Sequence, residues 1–117
     1  MTGSRNPGLI PRRGEVWWVA LDPTLGSEIS KTRPCVVLSR DAVNAHRRTV
    51  VVIPLSSSPS ASPPIRIAVN CSGRPAVAVV DQIRAIAKER LKSRMAVLAG
   101  HEIDAIAEAL RRILDLM

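Results

Sequence analysis

Phenylalanine and tyrosine are absent from this 117-residue chain, and its aromatic content is two adjacent tryptophans, Trp17 and Trp18. That excludes modules that stack successive bases on several rings, so any binding of nucleic acid must rest on charge, hydrogen bonds and backbone groups. No apolar run approaches the ~20 residues of a membrane-spanning helix. The opening stretch MTGSRNPGLIPRRG contains no apolar segment of the signal-peptide kind. A cytoplasmic chain with no membrane partner is therefore expected. Cysteine is scarce as well: Cys35 and Cys71 lie far apart beside apolar stretches and read as reduced, packed thiols. No Cys/His cluster has metal-ligand spacing, so neither metal nor cofactor is expected. A phosphate-cradling glycine loop and a nucleophile elbow are also missing. An active site would have to be assembled from scattered polar residues at strand ends.

Positive charge is abundant. The formal net charge is +7, and the excess is uneven: residues 1–99 hold 15 Lys/Arg against 6 Asp/Glu, whereas residues 100–117 hold 2 against 4. A basic body suits a polyanionic partner through phosphate neutralisation; a surface that merely keeps the protein soluble would look the same. The length fits one domain, read as a loose lead-in over residues 1–13 and a folded unit over 14–117. So short a chain leaves much apolar surface uncovered, which favours oligomerisation.

Glu15–Leu21, Cys35–Leu38, Thr49–Leu55, Ile65–Val69, Pro75–Val80, Gln82–Ala87 and Met95–Leu98 read as strands from their β-branched content and alternation. Alternation sends the two tryptophans to opposite faces, one into the core and one outward. Ser39 or Asp41 can cap a short helical turn through Asn44. Leu25–Thr32 and the Ser/Pro-rich 56–64 stretch are loops, Asn70–Arg74 is a turn, and Lys88–Arg94 is a basic connection. Glu102–Leu116 is the clear helix, with Ile103, Ile106, Ala107, Leu110, Ile113 and Leu114 on one face. Short strands with one terminal helix predict a mainly β fold, a small barrel with a helix packed on it.

Three polar segments interrupt this pattern: GSEISKTRP (26–34), PLSSS (54–58) and VDQIR (80–84). Taken with GEVWWVALDPTLGSE, KTRPCVVLS, VVVIPLSSS and VAVVDQIRAIAKERL in that order, they resemble the MazF/PemK toxins over nearly the whole chain after the lead-in. The resemblance implies an SH3-like barrel of the CcdB/PemK type, a homodimer that cuts single-stranded RNA without a metal and is held inactive by a cognate antitoxin. It also implies 2′,3′-cyclic phosphate and 5′-hydroxyl ends. The family's catalytic arginine falls on Arg33, its catalytic Thr or Ser on Ser56, and the acid of its GSE loop on Glu28. Its RNA-contacting positions fall on Ser27, Ser57, Asp81, Gln82 and Arg90. Two departures stand out: serine at 56 where threonine is frequent, and Ala20 where relatives often carry an acid.

These residue types suit the reaction. When the 2′-oxygen attacks the adjacent phosphorus, charge builds on the phosphoryl oxygens, and a guanidinium meets two of them at fixed geometry. The nucleophile lies within the RNA, so no metal-bound water is required. Arginine is a poor proton acceptor. The family gives its arginine the acid/base work, and Glu28 and His46 are alternative bases. Structural readings stand beside the functional ones. Arg33 could pair with Glu28, Ser56 could satisfy backbone at a strand end, and Asp81 with Gln82 could fix a bend. A CcdB-like gyrase poison acting through its terminal helix and a non-catalytic nucleic-acid-binding module are the rival functions.

Overall fold

The computed structural model describes residues 10–58 and 60–116. The strands are β1 (Glu15–Ala20), β2 (Thr32–Val37), β3 (Thr49–Ser56), β4 (Arg66–Cys71), β5 (Arg74–Val79), β6 (Arg84–Ala87) and β7 (Leu91–Val97), and the helices are α1 (Asp41–His46) and α2 (Gly100–Leu114). The strands form one antiparallel sheet in the order β4-β5-β3-β2-β1-β7, and β6 also pairs with β3. β3 divides its pairing on that side: Thr49–Val52 faces β6, and Leu55–Ser56 faces β5. One strand serving two partners forces the sheet to curl into a half-barrel, the mainly β architecture with a terminal helix expected from the sequence.

Alternation then supplies two cores. Val16, Val36, Ile53 and Leu55 point toward α2 and pack with Ile103 and Ile106. Trp17, Val19, Cys35, Val37, Val50 and Val52 point the other way and close a second cluster with Ile86. Strands buried on both faces read as unbroken apolar runs, which explains the β-branched density of β3. Trp17 is 4% exposed and Trp18 38%, the opposed placement that alternation predicts.

Several boundaries differ from expectation. β2 begins at Thr32 rather than at Cys35, because β1 carries the ladder out to Ala20–Thr32. β7 begins at Leu91, inside the stretch read as a connection. Lys92, Ser93 and Arg94 lie on the sheet's outermost strand and face solvent, so their polarity hid its first half, while Met95–Val97 falls in the strand expected. β4 and β5 are joined by a two-residue turn, Ser72-Gly73, with φ of 53° and 81°. Two consecutive positive φ values are what a tight hairpin of right-handed twist requires. Ser39 does not cap α1. Arg40 holds that position, while Ser39 accepts a hydrogen bond from Val51 N–H and its carbonyl accepts one from buried Asn44. α2 starts two residues early because Glu102 accepts the Ala99 amide at 2.9 Å, and it stops at a left-handed Asp115. The expected lead-in falls mainly on residues outside the described set. Arg12 and Arg13 themselves are fastened, their amides donating to Glu15 and Asp41.

Candidate functional site

Two prolines open the site. The pairing of β2 with β3 stops at Cys35–Pro54, and neither Pro34 nor Pro54 has an N–H to extend it. Beyond that point the strands part. Continuing the same register two residues further brings Arg33 opposite Ser56 on one face. Both side chains line a recess of about 290 Å³ that also takes in Glu28, Ile29 and Ser30. Both also line a second recess of about 320 Å³ on the other side of the Arg33 side chain, walled by Trp18, Pro34, Leu55 and Met95.

Arg33 is exposed, and its Nε donates to the Ser30 carbonyl at 3.2 Å. No carboxylate pairs with it among the described residues, and the residue lines both recesses. Glu28 does not form the ion pair that a structural reading would need; its Oε1 accepts the Leu25 amide at 2.7 Å within its own loop. Ser56 Oγ accepts the Ser58 amide at 3.1 Å, which leaves the hydroxyl proton available to donate outward.

The loop that carries Glu28 and Ser30 is clamped from several sides. Leu21 N–H donates to the Lys31 carbonyl and Lys31 N–H to Asp22. Gln82 Oε1 accepts the Ile29 amide at 3.3 Å, while Arg84 Nη1 donates to the Ile29 carbonyl at 3.3 Å and Nη2 to Gln82 at 3.0 Å. Arg90 Nη1 donates to the carbonyls of Ala20 and Asp22. Gln82 and Arg90 thus hold the loop from behind, and neither lines the recesses at Arg33. Ser57 lines the larger recess; Ser27 and Asp81 line neither. His46 ends α1, next to the start of β3, so the length of that eight-residue strand separates it from Ser56.

Residues 12–114 match the family model described as PemK-like, MazF-like toxin of type II toxin-antitoxin system. The chain belongs to that toxin family, the MazF-type endoribonucleases. It is 36% identical over 114 residues to "Endoribonuclease MazF9" of Mycobacterium tuberculosis, covering 90% of this chain and 97% of the relative. Its fold matches that of MazF from Deinococcus radiodurans with a TM-score of 0.82 at 22% identity, covering 92% of this chain and 98% of that one. It also matches an endoribonuclease in complex with its cognate antitoxin from a mycobacterial species, with a TM-score of 0.72 at 24% identity over 92% and 96% of the two chains.

In this MazF-type toxin a charged lining residue escaped the sequence reading. Arg74 stands at the start of β5, exposed, and lines the larger recess together with Arg33. Its segment has the composition of a turn, and only the tight Ser72-Gly73 reversal swings it toward Trp18. The one available signal was the Ser-Gly pair itself, which marks a short hairpin loop. Both cysteines are free and buried. Burial pushes the Cys35 thiol up to about 12, against a small lowering from Arg84, and burial also raises Cys71, with Glu102 adding to it. Neither is a nucleophile at neutral pH. Among the described residues no group of three His, Cys, Asp or Glu could hold a metal, and no helix is long and apolar enough to cross a membrane.

Proposed function

We propose that this toxin cleaves single-stranded RNA at the Arg33–Ser56 recess by attack of the substrate's own 2′-hydroxyl. The observation that carries the reading is an exposed guanidinium without an ion-pair partner, set on the same face as a free hydroxyl and beside a carboxylate in one recess. Glu28 takes the proton from the 2′-hydroxyl. The 2′-oxygen bonds to phosphorus, the bond to the 5′-oxygen breaks, and that oxygen takes a proton from solvent water while Glu28 returns its own to solvent. The products are a 2′,3′-cyclic phosphate and a 5′-hydroxyl, and no water is consumed. Arg33 meets two phosphoryl oxygens as charge grows on them, which stabilises the transition state by roughly 3–4 kcal/mol, and Ser56 donates one more hydrogen bond.

The toxin works as a cytoplasmic homodimer restrained by a cognate antitoxin; the mycobacterial neighbour is in complex with its own. The outer edge of β7, which pairs with no strand among the described residues, and its Val97, 67% exposed, support association of two copies. The basic body supports an acidic antitoxin segment that competes with RNA for the same surface. The test is incubation of single-stranded RNA with the purified protein in EDTA, followed by analysis of the ends. Cyclic-phosphate and 5′-hydroxyl ends from the wild type, and intact RNA with a variant lacking the Arg33 guanidinium, are expected. Equal cleavage by both proteins, 5′-phosphate ends, or RNA left intact by the wild type overturns the mechanism.

A further inference from the structure

The larger recess shares Arg33 and Ser56 with the reaction just described, but its Trp18 and Arg74 have no part in that reaction. It holds about 320 Å³, at the small end of ligand pockets. Its apolar walls come from Trp18, Pro34, Leu55, Ala76 and Met95, and Trp18 is left 38% exposed although its neighbour Trp17 is buried. Its rim carries two guanidiniums, Arg33 and Arg74, and no Asp or Glu lines it. A half-exposed indole beside a cleavage site is a stacking surface for one planar, unpaired ring.

Resting on the nuclease reading, we propose that this recess is a subsite for one nucleobase flanking the scissile phosphate, and that Arg74 selects a keto base, uracil or guanine. With Arg33 engaged by phosphate, Arg74 is the remaining lining side chain of fixed sign. Thr32 and Ser57 hydroxyls either donate or accept and so discriminate weakly. Uracil and guanine offer carbonyl oxygens where cytosine and adenine offer amino groups. A guanidinium, which only donates, bonds the former and leaves an amino group unpaired against it. The missing carboxylate matters equally, since Asp or Glu is the side chain that accepts from an exocyclic amino group.

The experiment is cleavage of a randomised single-stranded RNA pool by wild type, Arg74→Ala and Arg74→Gln, with sequencing of the new 5′ ends. Wild type is expected to favour U and G over C and A about tenfold at one position beside the cut. Arg74→Ala loses that preference, and Arg74→Gln, whose amide donates and accepts, shifts it toward adenine and cytosine. A preference unchanged in Arg74→Ala, or no keto preference in the wild type, overturns the proposal and leaves the nuclease reading standing; failure of the wild type to cut any RNA removes that reading itself. A second measurement needs no catalysis. Deoxyoligonucleotides lack the 2′-nucleophile, and a T- or G-containing one is expected to quench Trp18 fluorescence in wild type but not in Trp18→Leu. Equal quenching in the two proteins, which would report Trp17, overturns the stacking role.

Discussion

Two corners of the same sheet use the same kinds of residue to opposite ends. In the first, Glu15 on β1 is 5% exposed and accepts from the Arg12 amide, the Trp17 indole and Arg94 Nη1 at 2.9, 3.0 and 3.0 Å. In the second, Arg33, Ser56, Glu28 and Trp18 lie around open recesses with donors turned outward. In the first corner an arginine and a tryptophan turn donors onto one buried acid and leave it satisfied; in the second the same residue types leave capacity for a visitor. No buried side-chain polar atom among the described residues lacks a partner. Unsatisfied capacity therefore lies at the surface, and part of it stands around the recesses at Arg33. Polar groups that complete their bonding internally hold the fold, and those that do not are available to a substrate.

The sharpest way to break the comparison is to exchange the roles by mutation. Arg33→Ala is expected to lower RNA cleavage about 10²–10³-fold, the loss typical of one preorganised donor to a developing oxyanion. Its melting temperature stays within about 2 °C of wild type, since the side chain makes one exposed bond. A large stability loss in a thermal melt would place Arg33 in the structural corner instead. Glu15→Ala is expected to do the reverse. It strands the indole and the Arg12 amide and costs about 2–4 kcal/mol, read as a fall of roughly 10 °C or more, with cleavage per folded molecule retained.

The pH dependence of stability sharpens the same contrast. Burial alone raises the Glu15 carboxyl, but the Arg12 amide, the Trp17 indole and Arg94 outweigh it and hold the group below the ordinary value. A carboxyl depressed in the folded state stabilises the protein at neutral pH. That contribution drains as pH falls through the ordinary value of about 4.3 and on through the lower folded one. Denaturant unfolding of wild type should therefore weaken below about pH 5 more steeply than that of Glu15→Gln. Parallel curves would show that Glu15 is not held as described.

Some of this division was legible in the sequence. The apolar runs announced the two-sided strands, and Arg33, Ser56 and Glu28 lay in polar segments that interrupt them. Nothing local revealed that Glu15 is buried: Trp17 is close by on the same strand, but the turn at Arg12 and the distant strand β7 supply the other two partners. Arg84 and Gln82 reach a loop more than 50 residues earlier, a contact that neither periodicity nor composition encodes. The first half of β7 stayed hidden for a simpler reason: an edge strand needs few apolar side chains, and Lys92-Ser93-Arg94 reads as a loop until β1 is laid beside it.

Ser56 lies between the extremes, since its oxygen serves the backbone and its proton serves the recess. Ser56→Ala is expected to reduce cleavage about tenfold to hundredfold, the effect of losing one hydrogen bond to a charged group. Stability falls by no more than about 1 kcal/mol. Ser56→Thr keeps the hydroxyl and should retain most of the rate. A Thr variant as slow as the Ala variant would show that the hydroxyl takes no part.

The smallest expected effect tests whether the clamp behind the loop matters to the chemistry in front of it. Gln82 touches neither recess, yet its oxygen holds the Ile29 amide, and Glu28 is the next residue. Gln82→Leu removes that acceptor and loosens the loop, so kcat should fall about three- to tenfold while KM changes little, because the RNA-facing groups remain. Gln82→Glu supplies a carboxylate oxygen in the same place, able to accept from both Ile29 and Arg84, and should restore kcat. If both variants cleave like wild type, the loop holds Glu28 without help from the 3₁₀ turn at Val80–Gln82. If both raise KM instead, Gln82 meets the RNA itself and belongs with the open corner rather than the closed one.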